Sequence, residues 1–129
     1  MHFSKTTEYV IRVLSYLHRH NKSSHSVKVL HQKLGLPYKY LTKLMTGLAK
    51  KVLVNASRGR EGGLRLARDA DTIYLCDILE AIGESLEHER CILGFEKCDT
   101  ANPCALHDQW MKPKGMIETM LRTTTLASL

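Results

Sequence analysis

The sequence predicts a mainly α chain with one small β-hairpin: a winged helix-turn-helix followed by a long C-terminal helix. Three observations carry this. Apolar residues recur at helical spacing in several separate stretches. Two short helical stretches meet at Gly35, and the second is basic on its outer face. Two short strand-like stretches flank Arg58-Gly59-Arg60-Glu61-Gly62-Gly63, a turn with three glycines.

Taken in order, residues 6–20 place Tyr9, Val10, Val13, Leu14 and Leu17 on one helical stripe. Ser26 is placed to cap a second helix, Val27 to Leu34, with Gly35 as its C-terminal residue. Pro37 suits the first position of a third helix, where no N–H is needed. Leu41, Leu44, Met45 and Leu48 form its buried stripe, leaving Lys39, Thr42, Lys43 and Thr46 largely outside. Residues 52–56 and 64–67 read as the two strands of the wing. Residues 73–83 read as a helix, or a short strand leading into one. Residues 91–104 show no period and read as a loop. From Leu106 to about Leu121 helical spacing resumes, with Pro113 expected to kink or split the helix. The expected division is the winged helix-turn-helix over 1–83, a cysteine-containing loop over 84–105, and a helix and tail over 106–129.

Hydrophobic residues at 43% and charged residues at 25% exclude disorder of the whole chain. No apolar run is long enough to span a bilayer, and Met1-His2-Phe3-Ser4-Lys5 has no apolar signal core. A cytoplasmic protein with no membrane partner is expected. There, cysteines serve as thiols, metal ligands or redox sensors rather than as structural disulfides. The net charge of +6 is unevenly spread. Residues 1–68 hold fourteen Lys/Arg against Glu8 and Glu61, a net +12, whereas 69–129 hold five against eleven acids, a net −6. A basic half of this kind meets a polyanion, and the acidic half is left for sensing or assembly.

The B-DNA major groove admits one α-helix, whose N-terminal side chains reach base edges. In the third helix these are Tyr38, Lys39, Thr42 and Lys43. Lys39 suits a guanine edge or a phosphate, and Thr42 a base edge or a thymine methyl. Arg58 and Arg60 at the wing tip suit a narrow minor groove. Lys5, Lys28, Lys50 and Lys51 suit phosphates, which set register but not sequence. Taken singly, a basic helix face is a solvated face and a glycine-rich hairpin is a tight turn. Their order within forty residues, with the charge bias, points to double-stranded DNA.

Cys91, Cys98 and Cys104 are separated by six and five residues in one loop. Zinc sites favour closer cysteine pairs. The wider spacing suits an iron–sulfur cluster held by thiolates. A fourth ligand is then needed, and His107, His88 and Glu8 are the candidates. The alternative is a set of metal-free thiols, oxidised to a disulfide as a switch. Cys76 lies in an apolar helix and reads as a small core residue.

These residues give the chain a resemblance to the iron–sulfur-linked winged-helix transcription regulators, the family of IscR, NsrR, RirA and CymR. It runs over nearly the whole length. It is carried by Phe3-Ser4-Lys5 with Tyr9, by Gly35-Leu36-Pro37 before Tyr40-Leu41, and by the wing matching R-G-x-x-G-G. Ile73-Tyr74-Leu75-Cys76-Asp77-Ile78, the three cysteines and Thr124-Thr125-Leu126 also fit. The resemblance implies a homodimer on a palindromic operator, with the C-terminal helices crossing at the dimer interface. It implies an iron–sulfur cluster on Cys91, Cys98 and Cys104, with 2Fe–2S ahead of 4Fe–4S and a cluster-free chain as the alternative. The fourth ligand is implied to be His107 by the IscR-like pattern, or Glu8 of the partner subunit by the NsrR-like one; His107 is preferred. Two departures stand out. The first cysteine gap is six residues where those relatives have five. Lys39 and Thr42 stand where the IscR-like helix has serine and glutamate, so the operator sequence does not carry over.

The expected function is a dimeric regulator, a repressor, whose DNA binding answers to iron, redox state or nitric oxide. The rivals are a metal-free thiol regulator and one answering to a metabolite or protein partner. No nucleophile–base–orienter set is visible, and the wing glycines lie between strands rather than before a helix, so no enzyme is expected.

Overall fold

Each of the first two helices begins where a serine can take up a free N–H group. The computed structural model describes residues 3–84 and 91–129; residues 1–2 and 85–90, with the candidate ligand His88, lie outside the described residues. Helix α1 spans Lys5–Arg19, and the Ser4 side chain accepts from the Thr7 N–H. Helix α2 spans Val27–Leu34, and Ser26 accepts from the Val29 N–H. Gly35 ends α2 in the left-handed region at φ 66°, where glycine carries no Cβ penalty. Replacing Ser26 with alanine should cost about 1 kcal/mol, read as a lower denaturant midpoint with unchanged slope; no shift would mean that water replaces the cap.

Helix α3, Tyr38–Lys50, starts one residue later than expected, with Pro37 as its cap rather than its first residue. Its extended ψ of 128° keeps it outside the helix. Strands β1 (Val54–Ser57) and β2 (Gly63–Leu66) pair antiparallel, from Val54 opposite Leu66 to Ser57 opposite Gly63. The first strand begins two residues late. Val52 sits at φ 58°, exposed, and turns the chain off α3 before Leu53 dives into the core. His25 adds a third segment to the wing by exchanging both backbone hydrogen bonds with Leu64, at 3.1 and 2.8 Å.

After a 3₁₀ turn at Ala70–Thr72 comes α4, Leu75–Ala81, shorter than the 73–83 expected. The short strand weighed there is a single bridge, Tyr74 to Thr125. Cys76 is half-buried at the edge of the core rather than inside it. Helix α5 runs from His107 to Thr123 without a break at Pro113. The proline deprives the Gln109 carbonyl of its partner, but both residues are exposed, so water can satisfy the group. The chain then returns to the wing domain: Leu126 N–H donates to Ile73 O at 2.8 Å, and Leu75 N–H to Thr124 O at 3.0 Å.

One hydrophobic core joins these elements. Val10, Val13 and Leu14 of α1 are wholly buried with Leu30, Leu41, Ile73, Ile78 and Leu126. Each such side chain contributes about 1.5–3 kcal/mol. Helix α1 packs against α2, α4, β2 and the C-terminal turn, so it sets where α3 and the wing stand.

Candidate functional site

The basic face is built by α2, α3 and the wing. Arg12 of α1 donates to the Leu34 carbonyl at 2.8 Å, closing the C-terminus of α2 and fixing the turn into α3. His31 Nδ1 bonds the Leu36 carbonyl, and its ring meets Tyr38 edge-on at 6.0 Å. The start of α3 is therefore held from behind. Tyr38, Lys39, Thr42 and Lys43 are all exposed, as are Arg58 and Arg60 at the wing turn. The ion pairs among the described residues, Lys5–Glu8 and Arg68–Asp77, use none of them. Thr42 spends its proton on the Tyr38 carbonyl at 3.1 Å, so it offers a methyl group and an acceptor outward. Arg65 is different: it is tied to Ser24 Oγ at 3.0 Å and Lys22 O at 3.1 Å, and it props the wing.

The cysteine site stands at the start of α5. A turn closed by Cys91 N–H to Phe95 O at 3.0 Å holds Cys91 inward, at 5% exposure. The Cys104 carbonyl accepts from the His107 N–H at 3.1 Å, so α5 begins directly beyond Cys104 and sets His107 on its first turn. His107 is 8% exposed, and its Nδ1 lies 3.4 Å from Cys98 Sγ. Cys91 and Cys104 share an S–H···S hydrogen bond at 3.1 Å. All four residues line one cavity of about 310 Å³ with Phe95 and Lys97. The bond from Cys104 and the Leu93 N–H draw the Cys91 thiol below its ordinary pKa, while the same bond holds Cys104 above.

The structure thus brings Cys91, Cys98, Cys104 and His107 together. It does not bring Glu8 to them within one protomer: Glu8 lies on α1, paired with Lys5 at 2.9 Å. The donors fall into two pairs, and among the described residues no three lie close enough to share a single ion. Three thiols and an imidazole in two pairs fit a cluster with two metal atoms better than a lone zinc. Sequence reasoning missed Met111, whose Sδ lies 3.9 Å from Cys98. The available signal was its place four residues after His107, on the same helical face.

The site has a physical link to α3. Glu84, where the chain leaves α4 towards the cysteine loop, accepts hydrogen bonds from Ser4 Oγ and from Thr7 Oγ1, the latter at 2.6 Å. Thr6, beside them, bonds the Tyr40 hydroxyl of α3.

Comparison with known proteins agrees with this architecture. The Rrf2 family, described as iron-dependent transcriptional regulators, matches residues 3–129. A protein of Aquifex aeolicus named as an HTH-type transcriptional regulator is 32% identical, over 100% of this chain and 91% of its own. The regulator IscR of Yersinia pseudotuberculosis is 34% identical over 78% of this chain, and the match spans 60% of IscR. Among solved structures, the global cysteine regulator CymR of B. subtilis superposes with a TM-score of 0.81 at 22% identity, covering 99% of this chain and 95% of CymR. IscR of T. potens gives 0.74 at 27%, covering 99% and 85%. The molecule is a winged-helix transcriptional regulator, not an enzyme. It belongs to the Rrf2 family. No helix among the described residues is long and apolar enough to cross a membrane.

Proposed function

We propose that the chain acts as a homodimer on a palindromic operator, and that an iron–sulfur cluster on Cys91, Cys98, Cys104 and His107 controls its hold on DNA. The observation that carries this is the convergence of those four donors on one cavity at the head of α5. Two donors for each iron suit a 2Fe–2S cluster. Such a cluster, when bound, supplies a centre that responds to oxidants, nitric oxide and iron supply. The fourth ligand is His107, and Glu8 of the partner subunit is the alternative.

Labour divides along the chain. Residues 1–83 bind DNA, 84–105 sense, and 106–129 join the subunits. The face of α5 turned away from the cysteines supports the last assignment: Met116 and Met120, one turn apart, are exposed, Met116 at 65%. An exposed methionine pair of this kind suits contact with a second copy. Two recognition helices must then stand about 34–36 Å apart, one turn of DNA. Glu84 ties the sensing loop to α1, and Thr6 ties α1 to α3, so reordering the loop moves or frees the recognition helix.

On DNA, Tyr38, Lys39, Thr42 and Lys43 enter the major groove and Arg58 and Arg60 the minor groove. Replacing Lys39 with alanine should cost about 1–3 kcal/mol on the specific operator alone. Equal loss on random DNA would make Lys39 a phosphate contact. Affinity should also fall steeply with salt; a flat response would remove the electrostatic interface.

The test of the cluster is anaerobic purification with an absorbance spectrum and iron and sulfide analysis. Brown protein with stoichiometric iron and sulfide is expected. Colourless protein that still binds DNA would overturn the cluster and leave the thiols as the sensor.

A further inference from the structure

Cys91 and Cys104 are thirteen residues apart in sequence, yet their sulfurs lie 3.1 Å apart. The turn at Cys91–Phe95 and the start of α5 hold the two from opposite ends of the loop. Cys98 is engaged elsewhere. Its sulfur faces His107 Nδ1 at 3.4 Å and the Met111 thioether at 3.9 Å, neither of which is a thiol. The pair is reachable, since both residues line the cavity and Cys104 is only half-buried. Closing a disulfide needs the sulfurs to move from 3.1 Å to about 2.05 Å.

We propose that Cys91 and Cys104 form a dithiol–disulfide couple, closed by a hydroperoxide whenever no metal occupies the site. The peroxide oxidises one thiol to a sulfenic acid and leaves as the alcohol or water. The other sulfur then attacks the sulfenic sulfur and expels water. Two electrons pass from the sulfurs to the peroxide O–O bond, and both thiol protons end in the leaving oxygen species. A thiol reductant reverses the change. The couple also bars iron, because sulfurs joined to each other are not free as ligands. That last consequence rests on the cluster reading; the disulfide itself does not.

The experiment uses the iron-free full chain, treated with a small excess of hydrogen peroxide and analysed by intact and tryptic mass. A loss of about 2 Da, restored by dithiothreitol, is expected. Trypsin cuts after Arg90 and Lys97, which leaves Cys91 alone on one peptide and Cys98 with Cys104 on the next. A cross-link between the two peptides should survive Cys98→Ser and vanish in Cys104→Ser. Should either variant fail to fold, fragmentation of the wild-type cross-linked peptide decides alone. Gains of about 16 or 32 Da without a cross-link, or a link through Cys98, would overturn the pair. Anaerobically purified, iron-bearing protein given the thiol oxidant diamide should stay uncross-linked. If it cross-links while keeping its iron, the exclusion falls but the disulfide stands. If no preparation ever carries iron, the cluster reading falls and the first arm still decides the disulfide.

Discussion

Replacing Gly63 with alanine should destabilise the chain by about 2–4 kcal/mol and loosen the wing, because strain and a backbone collision act together. Gly63 sits at φ 144°, a conformation that residues with a side chain rarely adopt. A Cβ built there would lie 2.7 Å from the carbonyl carbon of His25 and 2.8 Å from its oxygen. Neither atom belongs to a flexible side chain. Both are part of the His25–Leu64 bridge that fastens the wing to the segment before α2. Relief of the contact therefore requires the bridge to open. With the bridge open, Arg58 and Arg60 lose their fixed aim, and specific DNA binding should fall further than stability alone accounts for.

Gly59 supplies the control. It also has positive φ, at 105°, but among the described residues nothing beyond its chain neighbours lies within 4 Å of a Cβ placed there. Gly59→Ala carries the strain without the collision, about 1 kcal/mol. Denaturant unfolding of the two variants side by side checks the argument. Equal losses would mean that the His25 backbone yields freely and that the close approach has no energetic weight.

The wing shows how far sequence alone reaches. The spacing of Gly59, Gly62 and Gly63 announces a turn, and caps at Ser26 and Gly35 announce where α2 starts and stops. These are local signals, written within four residues of where they act. What the sequence left hidden is non-local. No pattern in residues 20–25 marks His25 as the wing's third segment, since one bridge has no period. Nothing near Ile73 foretells that Leu126 returns to bond it. Val52 shortens the first strand because a β-branched residue adopts positive φ, against its propensity, where the tertiary fold demands it. In the cysteine site, chain order arranges Cys91, Cys98 and Cys104 evenly, whereas the fold pairs the outer two and gives the middle one to His107. Spacing fixes membership of such a cluster but not its partners, which depend on how the loop turns at Cys91 and where α5 begins.

That pairing makes Cys98→Ala the second decisive substitution. Removing an outer partner of a metal ligand costs about 10–100-fold in metal affinity, so removing a ligand should cost more and leave the purified protein colourless. The fold should persist, because Cys98 is half-buried and stands outside the hydrophobic core. The chain's single tryptophan, Trp110, reports this internally. It lies on α5 three residues after His107 and is half-buried, with its indole N–H enclosed and without a partner among the described residues. Metal in the site should quench its emission in the wild type and leave Cys98→Ala unquenched, with identical circular dichroism. Glu8→Ala, tested alongside, should keep both colour and quenching, since Glu8 pairs with Lys5 away from the cavity. Colour retained in Cys98→Ala would strike Cys98 from the ligand set, and colour lost in Glu8→Ala would move the fourth ligand from His107 to the first helix of the partner subunit.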